Sequence, residues 1–287
     1  MNTYIIDSIR TPIGNFGGTL KDIRTDDLAA IPIRELIKRT KIEPSKIDDV
    51  ILGCANQAGE DNRNIARMAS LLAGIPFSVP GETINRLCAS GMSAVINAHR
   101  AIQTGDGNLF IAGGVENMTR GPWVISKVSK AFGRDAQMFD SSFGWRFINP
   151  KMKELYGVDG MGTTAENLAE KYNISREDQD NFAYHSQLKA YKAQSSGRLS
   201  EEIVPVEIPQ RKKEPILFEH DEFIKGNTKV EVLAKLRTAF KKEGGTVTAG
   251  NSSGLNDGAA AMLLASENGV KENNLSPIAK IICSAVV

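Results

Sequence analysis

Residues 83–92 read Thr83-Ile84-Asn85-Arg86-Leu87-Cys88-Ala89-Ser90-Gly91-Met92, and this order of residue types decides the fold. Glu82–Leu87 has the composition of a strand. From Gly91 to Gln103, Met92, Val95, Ile96, His99 and Ile102 recur at spacings of 3, 4 and 7, the period of one helix face. Between them the small residues Ala89 and Ser90 make a sharp turn. The same alternation extends outward. Upstream, Tyr4–Ile9 is a short β-run. Thr25 caps a helix that carries Asp26 and Asp27 in its first turn and runs to Arg39. Val50-Ile51-Leu52 is an apolar run ending at Gly53, and Asn64–Leu72 is a helix stopped by Gly74 and Pro76. Downstream, Leu109–Ala112 is a strand ending in Gly113-Gly114. Strands alternating with helices predict an α/β fold with a largely parallel sheet.

The rhythm changes after residue 117. Residues 118–246 are more polar and less periodic and read as an insertion into the α/β core. Within them, one helix carries Ala165, Leu168, Ala169 and Tyr172 on one face, another opens on the capping pair Ser175 and Asp178, and Arg211–Glu214 is a solvated basic loop. Strand pattern returns at Thr246-Val247-Thr248 and Ala259–Leu264. Residues 1–117 and 247–268 are therefore expected to form the core. Ile278–Val287 reads as a buried strand at the end of the sequence. Such a strand is an aggregation liability, so further chain is expected after Val287, with 269–287 opening the next domain.

The totals exclude several function classes. The 287 residues are 41% hydrophobic and 24% charged with a net charge of +1, which gives no case for nucleic-acid or membrane partners. No stretch approaches the roughly 20 apolar residues of a membrane helix, and the N-terminus lacks the pattern of a signal peptide. Cys54, Cys88 and Cys283 are far apart and odd in number, neither a disulfide framework nor metal-ligand spacing. A reducing, cytoplasmic setting is expected.

Cys88 is the candidate catalytic residue. At a helix N-terminus, free N–H groups and the dipole favour a thiolate, and the same N–H groups can stabilise an oxyanion. The competing reading is a buried structural cysteine. A nucleophilic cysteine needs a base. His99 lies eleven residues further along the same helix, about 16 Å along its axis. His185 and His220 sit in polar surroundings that suit surface roles. None of the three is a recognisable partner.

Four blocks resemble the thiolase family: Asn85–Met92, Ala112-Gly113-Gly114-Val115-Glu116-Asn117-Met118, Met161-Gly162-Thr163-Thr164-Ala165-Glu166-Asn167, and Thr248–Ala260. They stand in the family's order, and the likeness runs from residue 3 to the end. Gly53–Asn64 and Gly144-Trp145-Arg146-Phe147-Ile148-Asn149-Pro150 are similar to thiolases that act on 3-oxoadipyl-CoA. The resemblance implies a thiolase-like fold, an N-terminal βαβαβαββ half with a loop domain inserted at 118–246. It implies CoA-dependent cleavage of a 3-oxoacyl-CoA through an acyl-Cys88 intermediate, or the reverse Claisen condensation. CoA would be a substrate, with no cofactor and no metal, and the complete protein would be a homodimer or homotetramer.

Residue by residue, Met161 and Ser253 match positions near the pantetheine, Phe240 one at the adenine side, and Lys225 a basic position near the CoA phosphates. Ordinary packing and surface charge are the competing readings. Arg63 and Arg146 are candidates for the distal carboxylate of a dicarboxylate substrate, against structural ion pairs. Gly160 stands where acetoacetyl-type relatives carry a His. The family's Gly-His-Pro segment, its Asn-Glu segment and its second catalytic Cys have no match: no His is followed by Pro, and Cys283 precedes Ser-Ala-Val. Cys283 is expected to fill the buried strand, and the 287 residues alone to be inactive. The alternatives are an acetoacetyl-CoA thiolase, a ketoacyl or hydroxymethylglutaryl synthase, and an inactive fragment or non-enzymatic lipid-binding relative.

Overall fold

The computed structural model describes residues 1–56 and 59–287. In chain order the elements are β1 (Thr3–Arg10), β2 (Gly14–Asn15), α1 (Thr25–Thr40), β3 (Asp49–Gly53), α2 (Ile65–Leu72), β4 (Gly81–Ile84), α3 (Ser90–Thr104) and β5 (Leu109–Asn117). Then come β6 (Trp123–Ile125), β7 (Met138–Asp140), α4 (Pro150–Tyr156), α5 (Met161–Tyr172), α6 (Arg176–Ser195), β8 (Val206–Gln210) and β9 (Lys213–Phe218). The chain continues with α7 (Val230–Leu233), β10 (Asn256–Ser266), α8 (Glu267–Glu272) and β11 (Ala279–Ile281). They form two compact units, the first made of 1–121, 200–222 and 256–287, the second of 122–199 and 223–255.

The first unit is an α/β sandwich around a sheet of order β11-β1-β10-β5-β3-β4, with β2 paired to β10. The β4–β3–β5 side is parallel. β10 lies antiparallel to both β5 and β1, and β11 antiparallel to β1. The largely parallel sheet expected from the sequence is therefore a mixed one. Parallel neighbours need a crossover helix; α2 and α3 supply it for β3, β4 and β5, whereas β10 returns from the long inserted segment and runs the other way. Residues alternate between two apolar layers. Val50, Leu52, Leu109, Ile111 and Leu263 join Leu28, Ile33, Leu36 and Ile65 in one. Ile51, Phe110, Ala112 and Leu264 join Ala94, Ala98 and Ile102 of α3 in the other. Each fully buried Leu or Ile contributes about 1.5–3 kcal/mol. That is why these strands read as continuous apolar runs.

Two glycines set how closely backbones approach. A Cβ on Gly53 would lie 2.4 Å from the Ser90 carbonyl carbon and 2.5 Å from the Gly91 nitrogen, so the end of β3 seats the first turn of α3. A Cβ on Gly113 would lie 2.1 Å from the Ala260 oxygen on β10.

The unit boundaries differ from those expected. Residues 200–222 pack with the first unit. Arg10 pairs with Asp221 at 2.8 Å and Glu202 at 2.9 Å, the Arg10 N–H donates to the Glu202 carbonyl and the Val204 N–H to the Arg10 carbonyl, and Val206, Ile208 and Phe218 enter the core. Residues 247–255 belong to the second unit, and Thr246-Val247-Thr248 is not a strand. The Glu166 carboxylate accepts the Thr246 and Val247 N–H groups at 2.9 Å each, replacing ladder bonds with side-chain bonds. At the other end, Ile278–Val287 is not a buried strand. Only Ala279–Ile281 pairs with β1, and Ile282, Val286 and Val287 are exposed. In the second unit, Ser175 caps α6 by accepting the Asp178 N–H, as its sequence predicts. Among the described residues no helix is long and apolar enough to cross a membrane.

His99, on the buried face of α3, has its Nδ1 2.8 Å from Thr3 Oγ1. Burial lowers its pKa from 6.5, with Arg100 and the N-terminus adding to the effect. A histidine with a depressed folded pKa binds more protons when unfolded, so its contribution to stability is lost as pH falls through 6.5. The difference in unfolding free energy between wild type and His99→Gln should fall toward acid, by at most about 1.4 kcal/mol per pH unit. Chemical denaturation of both proteins between pH 7.5 and 5, on the order of one experiment per half unit, checks this; a constant difference would refute it.

Candidate active site

Cys88 stands at the turn between β4 and α3. The helix begins at Ser90 with Ala89 as its N-cap, so Cys88 precedes the helix by one cap residue, and its side chain is exposed. The turn is tight. Leu87 adopts φ +49°, a left-handed conformation that a bulky residue rarely takes, and is itself 70% exposed. The flanking peptides are held from both sides. Ser90 Oγ accepts the Arg86 N–H at 2.7 Å and donates to the Leu87 carbonyl at 2.6 Å. The Ser90 and Ala89 N–H groups bond back to the Leu87 and Arg86 carbonyls at 3.0 and 3.1 Å. Asn85 Oδ1 accepts the Leu87 N–H at 2.8 Å.

Asn85 is anchored in turn. Its Nδ2 donates to the Ala55 carbonyl at 3.0 Å, in the loop that follows β3. The Ala55 and Asn56 N–H groups donate to the Glu116 carboxylate on β5, at 2.8 and 3.2 Å. Burial pushes the Glu116 carboxyl up, against the pull of these two bonds. Cys54, at the root of the same loop, is buried, and burial together with Glu116 and Asp61 raises its thiol pKa far above the ordinary range. Two cysteines near one loop thus occupy opposite environments. An exposed thiol beside helix N–H groups can attack a carbonyl and leave the resulting oxyanion near donors. A buried thiol held protonated cannot.

Cys283 is exposed and lies past the end of β11, so it does not fill a buried strand. The apolar run that carries it meets one strand partner for three residues, too few to cover it. The histidines lie where the sequence suggests. His99 is a buried, bonded core residue. His185 is exposed with its ring 5.3 Å from that of Tyr184, and exposed His220 lies 3.8 Å from Glu219.

The four residues matched to CoA positions all lie in the second unit, whereas Cys88 lies in the first. They fall into two pairs. Met161, exposed, is the first residue of α5, and the Phe240 ring lies against Gly162 beside it; a Cβ there would come within 2.3 Å of the ring. Lys225 Nζ lies 5.5 Å from the centre of the Phe223 ring, which packs against Gly254 next to Ser253. Asn251 holds that loop: its Nδ2 donates to Asp180 at 2.9 Å and to the Thr246 carbonyl at 3.0 Å, and its Oδ1 accepts the Thr248 N–H at 2.7 Å. Gly160 is the N-cap of α5, and a Cβ built on it meets nothing within 4 Å.

Arg63 is exposed at φ +68°, in a loop whose Gly59 and Arg63 N–H groups bond to buried Asp61 at 2.7 and 3.1 Å. Arg146 donates to the Ser141 carbonyl at 3.1 Å. Neither makes an ion pair among the described residues, so structural ion pairing does not account for them. Gln57 and Ala58 of the Gly53–Asn64 block lie outside the described residues. Sequence reasoning picks out Cys88 but not its frame. An Asn two residues before Leu87 is the local signal of an Asx turn, while Glu116 reaches the site through another strand and leaves no local signal.

Comparison with known proteins follows the same line. Residues 3–268 match the family model for the N-terminal domain of thiolase. The chain is 56% identical over 283 residues to the 3-oxoadipyl-CoA/3-oxo-5,6-dehydrosuberyl-CoA thiolase of Escherichia coli, covering 98% of this chain and 70% of that protein. It is 54% identical over 287 residues to a beta-ketoadipyl-CoA thiolase of Acinetobacter baylyi, covering 100% of this chain and 71% of that one. The crystal structure of human mitochondrial 3-ketoacyl-CoA thiolase in complex with CoA superposes with a TM-score of 0.87 at 35% identity, over 98% of this chain and 68% of that one. On sequence and fold together, this chain belongs to the thiolase family.

Proposed function

We propose that the protein cleaves 3-oxoadipyl-CoA with CoA, through an acyl group carried on Cys88. The Cys88 sulfur attacks the ketone carbon, the bond to the acetyl part breaks, and acetyl-CoA leaves once its enolate is protonated. The CoA thiol then takes the shortened acyl group as a thioester and frees Cys88. The reverse direction is a Claisen condensation. The covalent intermediate divides one difficult step into two easier ones. The observation that carries this reading is the exposed thiol on a rigid turn beside the α3 N-terminus, in a chain whose relatives are named for 3-oxoadipyl substrates.

Met161 and Ser253 would contact the pantetheine, Phe240 the adenine, and Lys225 the phosphates; the exposure of all four supports this. CoA is a substrate here, and the reaction is placed in the cytoplasm with a homodimer or homotetramer as the working form. Three cysteines, odd in number and far apart in sequence, support a reducing compartment. The second reading, an acetoacetyl-CoA thiolase, is disfavoured by Gly160, which leaves open space where a His would project.

Cleavage of 3-oxoadipyl-CoA and acetoacetyl-CoA should be measured with this chain and with a form extended past Val287 to the length of the relatives. Cys88→Ser is expected to lower cleavage roughly a thousandfold or more in any active form. Retained turnover would remove Cys88 from the mechanism. Gly160→His should fold normally and move the ratio of kcat/KM values about tenfold toward acetoacetyl-CoA. An unchanged ratio would take Gly160 out of substrate choice. If Arg63 or Arg146 binds the distal carboxylate, its change to Ala should raise KM for 3-oxoadipyl-CoA by about tenfold or more and spare acetoacetyl-CoA. Equal losses on both substrates would dismiss that role.

A further inference from the structure

We infer that Glu116 is a positioning residue for Cys88, acting through the loop after β3 and the side chain of Asn85. The inference rests on the reading of Cys88 as the nucleophile. Glu116 lies on β5 and is half-buried. Its carboxylate accepts two consecutive N–H groups, from Ala55 at 2.8 Å and Asn56 at 3.2 Å. A single carboxylate accepting adjacent amides fixes both the place and the tilt of that loop. The Ala55 carbonyl then points at Asn85 and accepts its Nδ2–H at 3.0 Å. The other end of the same amide, Oδ1, accepts the Leu87 N–H at 2.8 Å. Leu87 is the residue at φ +49° immediately before Cys88.

A bulky residue keeps a left-handed conformation only when its surroundings hold it there. Ser90 supplies half of that hold from within the turn. The path from Glu116 supplies the other half from the sheet. The primary amide of Asn85 is needed because the path requires a donor at one end and an acceptor at the other. The cost of burying Glu116, visible in its raised carboxyl pKa, is a cost that a purely apolar strand end would avoid.

The chain contains its own reference for a test. Cys283 is exposed and outside any element, and Cys54 is buried. Iodoacetamide labelling of the 287-residue chain, quantified by mass spectrometry, yields the ratio of the Cys88 and Cys283 rates together with Cys54 labelling as a report on the core. In the wild type Cys88 should label about tenfold faster than Cys283. Glu116→Gln, which can accept only through its single amide oxygen, and Asn85→Ala should each reduce the ratio several-fold without Cys54 labelling. Because both lie on one path, the double variant should lose no more than the worse single one. Additive losses, or an unchanged ratio in E116Q, would overturn the inference while leaving Cys88 as the nucleophile. A wild-type ratio near one would overturn that reading and the inference with it. Should E116Q expose Cys54, Asn85→Asp decides, since it keeps the acceptor for Leu87 and loses the bond to Ala55. A ratio as low as that of N85A supports the path, and a wild-type ratio overturns it.

Discussion

The first turn of α3 rests on the backbone of β3, and the rest of the first unit is arranged around that approach. Residue 53 has no side chain, and the Ser90 carbonyl carbon lies only 2.4 Å from the place where a Cβ would be. Close backbone contact is strong in geometry and weak in tolerance: a single methyl group would push the helix start outward. The same economy recurs one strand over. Gly114 faces the Gly53 carbonyl, with a built Cβ 2.7 Å from its oxygen, and Gly113 faces Ala260 on β10. The end of β3 and the middle of β5 therefore meet as bare backbone close to the first turn of α3. The apolar layers on either side can then fix the height of α3 over the sheet without a spacer.

The local parts of this arrangement are legible in the sequence. The spacing of Met92, Val95, Ile96, His99 and Ile102 sets α3, and the observed Ser90–Thr104 helix buries Ile96, His99 and Ile102, whereas Val95 is half-buried and Met92 is exposed where the helix begins. Asn64 and Ser175 mark helix starts because capping is settled within a few residues, whereas Thr25 does not cap α1, whose N-cap is Arg24, and β5 runs through Gly113-Gly114 to Asn117. What escapes is decided at long range. The direction of β10 depends on a return from the far side of the insertion. Residues 200–222 join the first unit because Arg10 finds Asp221 and Glu202. Thr246–Thr248 has strand composition, yet its N–H groups go to Glu166. Although burial opposes it, the bonds from Val247 and Thr246 hold that carboxyl below its ordinary range.

The site divides in the same way. Cys88 stands out because its chemistry, its small neighbours and its place at a helix start are all local. Met161 beside Phe240, and Lys225 beside Ser253 through Phe223, are brought together by tertiary packing in the second unit. Their spacing in sequence shows none of it, and they could be named only through resemblance. Arg63 and Arg146 show the limit of a default. A surface arginine is expected to find a carboxylate, but one is set in a left-handed loop residue and the other binds a carbonyl.

Glu116 ties these threads together, because one carboxylate acts on two cysteines in opposite senses. Toward Cys54 it is a nearby negative charge in a buried place, and it joins burial in keeping that thiol protonated. A second reactive thiol at the root of the loop would compete for any electrophile reaching the turn. Toward Cys88 it exerts no direct contact; it holds the Ala55–Asn56 loop that Asn85 uses as its anchor. A neutral side chain could fill the same volume, but a lone carbonyl oxygen would have to serve both amides and would carry no charge against Cys54. Glu116, one residue before the end of β5, therefore frames Cys88 through its two oxygens and adds its charge to a silencing of Cys54 that burial already supplies.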